Sequence, residues 1–515
     1  MSTVNHDLPF TLPQALTRLR SQTLGTGWLW LVAAAFPPLL IYLRTMAPTV
    51  YGLDSAELTT GAYTLGIVHP PGSPVYLLLG HLFTWLPVGD VGYRVNLLSV
   101  VAGGVMAGFL YLILHQLTRL RWLALIVTWF LAFSYYTWIS ALTAELYALQ
   151  GAWVAGLFWL ALRWREQQRP WQLLLFTFMV GLGLGNHLSL VLLIPGFTVL
   201  LFVALSPHSP LAASPPRPFT TTLLLAAAAT GLLGTLIYLY LPIRYLSPDN
   251  LNYARDYWGI NLTTWKGFWW MVSGRIFGSL FLGVPSERLP GELLTYLHQL
   301  WSNFLGLGFI LGVVGVVLDF RRRPWLHLAL GLMFLMHSAF YLTYRVVDKQ
   351  FMFVPAYLIW AIWLALGAQH LHQWLSQAKH ATQPSPWVAV VPITVMFLTA
   401  AALLLNYPLV NVSNDWSARQ RGEAILTNLP ANVIFYGTWT DVPILEYLQQ
   451  VEGQRPDVQT RNLIFIGRQV APLEVSQRLK DGQTIYTSRR NWFPEATFVY
   501  TPLENCGCYQ MNLAE

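Results

Sequence analysis

Long apolar stretches interrupted by short polar connectors dominate the first 406 residues of this chain. Each stretch is about 20 residues long, the length that a helix needs to cross the hydrocarbon core of a bilayer. The pattern predicts eleven membrane-spanning helices, at residues 28–46, 94–117, 122–141, 145–162, 171–186, 188–206, 220–242, 299–318, 325–344, 351–370 and 387–406.

A further apolar run, at residues 74–86, is too short to cross a membrane. A helix rises 1.5 Å per residue, so this run reaches only about 20 Å, against the roughly 30 Å of a hydrocarbon core. The run is therefore predicted to form an interfacial or re-entrant helix.

The basic residues predict the orientation of the chain. With eleven spans, the N-terminal tail with Arg18 and Arg20 and the short connectors rich in Arg fall on the same side, as cytoplasmic segments should. The N-terminus is then cytoplasmic, and the first apolar stretch is kept as an anchor. Two large loops, 47–93 and 243–298, and everything after residue 406 are extracytoplasmic. The chain is predicted to be integral to a plasma or inner membrane.

Composition agrees with a membrane protein and excludes a nucleic-acid partner. Of 515 residues, 55% are hydrophobic and only 10% are charged. The net charge of +7 comes from basic residues in connectors, which membrane topology already explains. The two cysteines, Cys506 and Cys508, are too few for a disulfide framework and too close together to form a zinc site alone.

After residue 406 the pattern becomes that of a soluble domain. It predicts a helix at 416–428, a strand at 433–436, a helix at 441–451 and a strand near 462–466. The predicted fold class is mainly α: a polytopic helical bundle over residues 1–406, followed by a small extracytoplasmic α/β domain over 407–515. The aromatic residues of loop 243–298 predict amphipathic helices that lie in the membrane interface.

Two acids follow the first predicted span, where charged residues are scarce. Asp54 and Glu57 would share one face of a helix, and His69-Pro-Pro-Gly72 would form a turn behind them. Acids at the mouth of a membrane protein often carry out chemistry. A structural explanation stays open, because Asp54 could cap a helix and His69-Pro-Pro-Gly72 could only shape a tight turn.

Several motifs resemble, in the same order, a bacterial family of membrane proteins related to the animal transmembrane O-mannosyltransferase of the GT-C class. The soluble segment of the family is represented by Gly437-Thr-Trp-Thr-Asp441, where this chain has fewer acids than the family pattern. The motifs of the membrane part are Asp54-Ser-Ala-Glu57, Gly66-Ile-Val-His-Pro-Pro-Gly-Ser-Pro74, Arg94-Val-Asn-Leu-Leu-Ser99, Glu145-Leu-Tyr147, Asn186-His187 and Tyr240-Leu-Pro-Ile-Arg244.

The resemblance implies a GT-C glycosyltransferase that moves a sugar, with mannose as a candidate, from a polyprenyl-phosphate carrier to an extracytoplasmic protein or glycan. Such a reaction needs a base for the acceptor hydroxyl and cations for the phosphate. Asp54 is predicted to be the base, and Glu57 to orient it, bind a sugar hydroxyl or share a divalent ion with it. No cofactor is otherwise expected. The predicted substrate-contacting residues are His69, Glu145, Asn186, His187 and Asp348, and the predicted phosphate ligands are Arg244, Arg345 and Lys349.

Two other classes of protein remain open. A transporter or flippase would also be polytopic, but it should place ionisable groups near the middle of the bilayer and often has related halves. Here the predicted spans are nearly free of charge, and the polar residues collect on one side. A non-catalytic envelope assembly protein would use the C-terminal domain as its working surface and would tolerate the loss of Asp54.

Overall fold

The computed structural model describes residues 27–202, 220–346, 348–377 and 386–514. The N-terminal tail, with Arg18 and Arg20, lies outside the described residues. The α-helices are Gly27–Thr45, Asp54–Thr64, Pro74–Thr84, Val91–Thr118, Arg121–Ala132, Tyr135–Ile139, Leu146–Gln167, Pro170–Leu184, Ile194–Phe202, Thr221–Thr235, Tyr240–Tyr245, Tyr253–Asp256, Trp265–Val272, Leu289–Asn303, Leu307–Asp319, Pro324–Thr343, Val354–Gln377, Val390–Val410, Ser417–Asn428, Val442–Gln450, Leu463–Ile466 and Ala471–Lys480.

Short 3₁₀ segments extend or connect several of these helices. They are Leu188–Leu193, Leu236–Leu239, Arg275–Phe277, Ser286–Arg288, Lys349–Phe353, Pro386–Ala389 and Arg490–Trp492.

Within the described residues, six helical segments are long and apolar enough to cross a membrane. They are Gly27–Thr45, Val91–Thr118, Thr221–Tyr245, Pro324–Thr343, Lys349–Ser376 and Trp387–Val410. A bent pair of helices would make a seventh, and four shorter apolar helices accompany them. The predicted class, a mainly helical membrane bundle, is confirmed, and the number of eleven crossings stays a prediction. The short run at 74–86 forms a helix at Pro74–Thr84.

Two of the predicted spans are not continuous helices. In the run 299–318, the chain bends by 102° between the helices that end at Asn303 and begin at Leu307. Leu305 and Gly306 have φ angles of 49° and 62°, which a right-handed helix cannot accommodate. In the run 122–141, Ser134 is extended, and its hydroxyl donates to the carbonyl of Leu131. Both interruptions are local changes of backbone conformation, which a hydrophobicity pattern does not predict.

The helices Leu307–Asp319 and Val354–Gln377 approach closely because glycines face each other at their contact. A Cβ atom added to Gly315 would lie 1.9 Å from the carbonyl oxygen of Trp363. A Cβ atom added to Gly367 would lie 2.0 Å from the carbonyl oxygen of Leu311. Small residues of this kind let helix backbones pack directly in a membrane, where dispersion rather than hydrophobic burial drives association.

We expect Gly315→Ala to lower the thermal stability of the purified protein. The added methyl group must push the two helices apart, at a typical cost of about 1–3 kcal/mol for overpacking. Gly331→Ala is the matched control, because a Cβ atom at Gly331 meets no atom within 4 Å. Unfolding followed by circular dichroism in detergent measures both. Equal midpoints for the two variants would show that the contact is not tight.

The C-terminal domain is built on a five-stranded mixed sheet in the order β2-β1-β3-β5-β4. The strands are β1 (Ile434–Gly437), β2 (Gln459–Asn462), β3 (Ile485–Thr487), β4 (Phe498–Leu503) and β5 (Cys508–Leu513). β1 pairs in parallel with β2 and β3, and β5 pairs antiparallel with β3 and β4. The predicted small α/β domain is confirmed. The strand predicted near 462–466 is wrong, because Asn462 ends β2 and caps a short helix, its side chain accepting from the backbone N–H of Ile464.

One face of this sheet joins the C-terminal domain to the membrane part. Successive side chains of a strand point to opposite faces, so Phe435 lies on one face and Tyr436 on the other. Phe435 packs in a buried cluster that also contains Val50 and Ala56. Ala56 belongs to the helix that begins at Asp54, so the helix with the predicted base lies directly against the C-terminal domain.

Candidate active site

The helix Asp54–Thr64 holds the two predicted acids at its first turn. Leu53, just before it, has a φ of 59°, a strained conformation for a branched side chain. Asp54 is the first helical residue and half-buried, and Glu57 is fully buried one turn later. Asp54 accepts a hydrogen bond from Trp439 of the C-terminal domain, with 2.6 Å between its Oδ1 and the indole nitrogen. Its side chain is therefore engaged in a contact across the domains, beyond any effect on its own helix.

Glu57 and His69 form a buried pair. The backbone N–H of His69 donates to Glu57 Oε1, and His69 Nδ1 lies 2.6 Å from Glu57 Oε2. Burial raises the pKa of Glu57. Burial alone would lower the pKa of His69, but the attraction and hydrogen bond of Glu57, with the charges of Asp54 and Asp348, raise it to about 9. The pair therefore holds a shared proton at neutral pH.

The His69-Pro-Pro-Gly72 segment forms the tight turn that the sequence predicts. The backbone N–H of Gly72 donates to the carbonyl of His69, at 2.9 Å. Gly72 has a φ of 88°, and a Cβ atom there would lie 2.7 Å from a methyl group of Leu241. Glycine is thus required twice over, by conformation and by space. The turn directs His69 back onto Glu57.

Asp348 and Glu145 bring two more carboxyl groups to the same site. The pKa of Asp348 is raised by burial and by the charge of Asp54, and lowered in part by His69. Glu145 stands at the start of the helix Leu146–Gln167, and its backbone N–H donates to the hydroxyl of Ser99. Asp348 and Glu145 come from separate parts of the chain, and the fold brings Asp348 close enough for its charge to act on His69.

The helix break at Asn186 and His187 adds polar groups beside this cluster. Asn186 is fully buried and donates to Gln150 at 3.2 Å. His187 Nδ1 accepts from the backbone N–H of Ser189, and its ring lies 6.2 Å from that of Tyr147. Burial and the nearby charge of His69 lower the pKa of His187 to about 4. His187 is therefore neutral at pH 7, with its ring proton on Nε2.

Two of the three predicted phosphate ligands have partners of their own, and the third is exposed. Arg244 donates to the carbonyls of Leu65 and Thr64, at the end of the helix that carries Asp54. Lys349 forms an ion pair with Glu292 at 2.7 Å. Arg345 is exposed. The structure places Arg244 and Lys349 in structural contacts and does not bring the three cations onto a common partner.

Two tyrosines and a buried acid join the C-terminal domain to the large loop that begins after residue 243. Glu446 is 5% exposed, and it accepts hydrogen bonds from Tyr253 at 2.5 Å and Tyr257 at 3.3 Å. Burial raises the pKa of Glu446 to about 8, although the two hydroxyl donors oppose the shift. This contact keeps the domain against the large loop.

We expect this contact between the domains to weaken as the pH rises. Because the pKa of Glu446 is above its ordinary value of 4.5, the stabilisation is fully present below that value and is lost as the pH passes through about 8. Hydrogen exchange of the helix Val442–Gln450 should accelerate as the pH rises from 4.5 to about 8, after correction for intrinsic exchange, and should change little above that. Glu446→Gln should remove this dependence. A variant with the same pH response as the original protein would contradict the assignment.

Asp54, Glu57 and His69 also form a donor set for a metal ion. One ligand atom from each lies within 4.8 Å of the others. Two carboxylates and an imidazole suit a divalent ion of the first transition row. Bound there, the ion would take the place of the proton that Glu57 and His69 share.

Trp439 and Glu446 were not among the predicted site residues. Trp439 lies in the segment Gly437–Asp441, which the sequence marked only through its likeness to a family motif. Glu446 carried no local signal, because a single acid on an amphipathic helix is ordinary. Tyr147 did carry a signal, since it belongs to the Glu145-Leu-Tyr147 motif.

Comparison with known proteins supports the predicted resemblance. Residues 54–209 match the family described as the protein O-mannosyl-transferase TMEM260 N-terminal domain. The chain is 25% identical over 471 residues to protein O-mannosyl-transferase tmem260 of Dictyostelium discoideum, covering 81% of this chain and 55% of that protein. It is 26% identical over 441 residues to the TMEM260 protein of Mus musculus, covering 81% of this chain and 60% of that protein. The chain thus spans little more than half the length of these relatives.

The fold is also that of a solved structure. The crystal structure of ArnT from Cupriavidus metallidurans bound to undecaprenyl phosphate superposes with a TM-score of 0.51 at 12% sequence identity. The match covers 95% of this chain and 99% of that one. At this identity the likeness establishes the fold alone, and it confirms the predicted GT-C-like architecture.

Proposed function

We propose that this chain is a membrane glycosyltransferase of the GT-C type, with Asp54 as its general base. It would move a sugar, with mannose as the first candidate, from a polyprenyl-phosphate carrier to an extracytoplasmic protein or glycan. The observation that carries the proposal is the gathering of Asp54, Glu57, His69 and Asp348 at one site within a GT-C-like fold. The matched family region, which starts at Asp54, supports the same reading.

In the proposed reaction, Asp54 takes the proton of the acceptor hydroxyl. The hydroxyl oxygen forms a bond to the anomeric carbon of the sugar, the bond from that carbon to the phosphate oxygen breaks, and the phosphate leaves on its lipid. A positioned base of this kind typically contributes about 10²–10⁴-fold to a rate. Asp54 is half-buried at the start of a helix, where it is open on one side to an incoming substrate.

His69 supplies positive charge at the same site. Its pKa of about 9 keeps it protonated at neutral pH while Glu57 fixes its ring. We propose that it faces the departing phosphate, where preorganised charge lowers the barrier most. Glu145, Asn186, His187 and Asp348 would contact the sugar or the acceptor.

The three proposed phosphate ligands differ in the contacts that they would have to break before they could bind a phosphate. Arg345 is exposed and could meet a carrier phosphate directly. Arg244 and Lys349 would first have to exchange their present partners. If a divalent ion binds, Asp54, Glu57 and His69 would hold it, and it would supply charge neutralisation at the phosphate.

The test is a transfer assay with the purified full chain in lipid nanodiscs. The donor is a polyprenyl-phosphate mannose labelled in the sugar, and the acceptors are unmodified extracytoplasmic proteins with exposed hydroxyl side chains. We expect label to appear in protein, in proportion to the amount of enzyme. Movement of the labelled lipid between bilayer leaflets without transfer to an acceptor would instead favour a flippase.

A further inference from the structure

Trp439 reaches from the C-terminal domain into the site of Asp54. Its indole N–H donates to the carboxylate, and its ring stands edge-on to that of His69, with 5.7 Å between the centroids. The side chain therefore touches both the proposed base and the proposed cation. Trp439 is only half-buried, so the contact lies at the rim of the site.

The loop that carries Trp439 is fixed from both sides. Arg489 donates from Nε to the hydroxyl of Thr438 at 3.2 Å and from Nη2 to the hydroxyl of Thr440 at 2.6 Å. Asp441, fully buried, accepts from Ser488 at 2.7 Å and pairs with Arg421. A loop held at the residues before and after Trp439 presents the indole in one orientation.

The topology of the sheet explains why this loop carries the contact. From β1 the chain crosses to β2 on one side, and from β2 it returns to β3 on the other side of β1. The chain leaves β1 toward β2 and leaves β3 toward β4 and β5 on the opposite side, and open α/β sheets place their sites at the carboxyl ends of strands where the direction reverses. Trp439 follows β1, and Arg489 follows β3.

An aromatic cluster holds the same loop against the membrane part. The ring of Trp439 packs edge-on against Phe465 at 5.0 Å and Tyr253 at 6.4 Å. Phe465 in turn contacts Trp258 at 4.8 Å. Tyr253 and Trp258 belong to the large loop after residue 243, whereas Phe465 belongs to the C-terminal domain. Aromatic side chains of both parts therefore fix the indole.

We propose that Trp439 is a positioning residue for Asp54, and that the C-terminal domain thereby completes the active site. This inference rests on the proposed function. The indole N–H donates to the carboxylate and fixes its rotamer toward the acceptor. The domain is then part of the catalytic machinery, in addition to any role in binding acceptors.

Trp439→Phe keeps an aromatic ring but removes the N–H donor. We expect kcat to fall by about tenfold, the effect of one ordinary hydrogen bond. KM for the donor lipid should change little. A merely structural role would lower thermal stability and leave kcat of the folded protein unchanged.

Trp492→Phe is the matched control. Trp492 lies in the same domain, is also half-buried, and packs under Arg468 at 4.5 Å. The same substitution there should leave kcat and KM at the values of the original protein. An unchanged kcat in Trp439→Phe, or an equal fall of kcat in both variants, would overturn the inference.

A second measurement separates this inference from the proposed function. The double variant Asp54→Cys and Trp439→Cys is treated with a short bifunctional maleimide, and each single variant serves as a control for the native Cys506 and Cys508. We expect an internal cross-link that proteolysis and mass spectrometry locate between the two positions. A cross-link in the double variant, together with no transferase activity in the unmodified protein, would reject the function but keep the contact. Absence of the cross-link would reject the contact.

Discussion

Asp54→Asn should abolish sugar transfer while the protein still folds and inserts. The amide cannot take the acceptor proton, so we expect kcat to fall by about a thousandfold, within the range for loss of a general base. It can still accept the hydrogen bond of Trp439, so the docking of the C-terminal domain should persist. The measurement is single-turnover transfer of labelled sugar, in which binding and chemistry are separated.

Asp256→Asn is the control for this experiment. Asp256 is another aspartate that the predicted topology places outside the cytoplasm. It forms an ion pair with its neighbour Arg255 at the surface. Its loss should leave transfer unchanged, since exposed ion pairs contribute little. Unaltered single-turnover rates in Asp54→Asn would reject Asp54 as the base.

Glu57→Ala should cause the largest loss of stability of any single change at the site. It leaves the backbone N–H and the Nδ1 of His69 without their acceptor in a buried position. Breaking a buried pair in this way typically costs about 3–5 kcal/mol. Thermal unfolding of the purified protein in detergent measures the effect. Glu57→Gln keeps an acceptor for the backbone N–H and should lose much less.

The same pair predicts how stability depends on pH. Because the pKa of His69 is raised above 6.5, the stabilisation from the pair is fully present below that value and is lost as the pH rises through about 9. Glu57→Gln should flatten this part of the curve. The Glu446→Gln variant lacks the other pH-dependent contact, so a constant unfolding midpoint from pH 6 to pH 9 in this variant would contradict the pairing.

The sequence predicted those parts of the site that are close along the chain. Asp54, Glu57 and His69 lie on one helix and the turn behind it, so helical periodicity and the Pro-Pro-Gly motif were enough to associate them. The contact of Trp439 with Asp54 depends on how a distant domain docks, and no local pattern encodes that. The bend at Leu305 and Gly306 was also not predicted, because a hydrophobicity profile does not report that the backbone of one leucine is in the left-handed conformation.

The predicted cations illustrate a second limit. Arg244 and Lys349 were assigned to phosphate because each stands at the end of a predicted span. In the structure, Arg244 satisfies helix-end carbonyls and Lys349 neutralises Glu292. Sequence indicates that a cation is near an interface, but it does not indicate which of many oxygen atoms the cation meets. Their role as phosphate ligands stays a prediction.

The separation of 385 residues between Asp54 and Trp439 has a consequence for biosynthesis. The helix of Asp54 emerges early from the ribosome, whereas its indole partner follows the final hydrophobic segment, Trp387–Val410. A nascent or prematurely terminated chain can thus embed in the bilayer while its carboxylate still lacks this partner. Under the proposed role of Trp439, a chain becomes competent only after residue 439 has been synthesised, so shorter products would not use a lipid-linked donor at full rate.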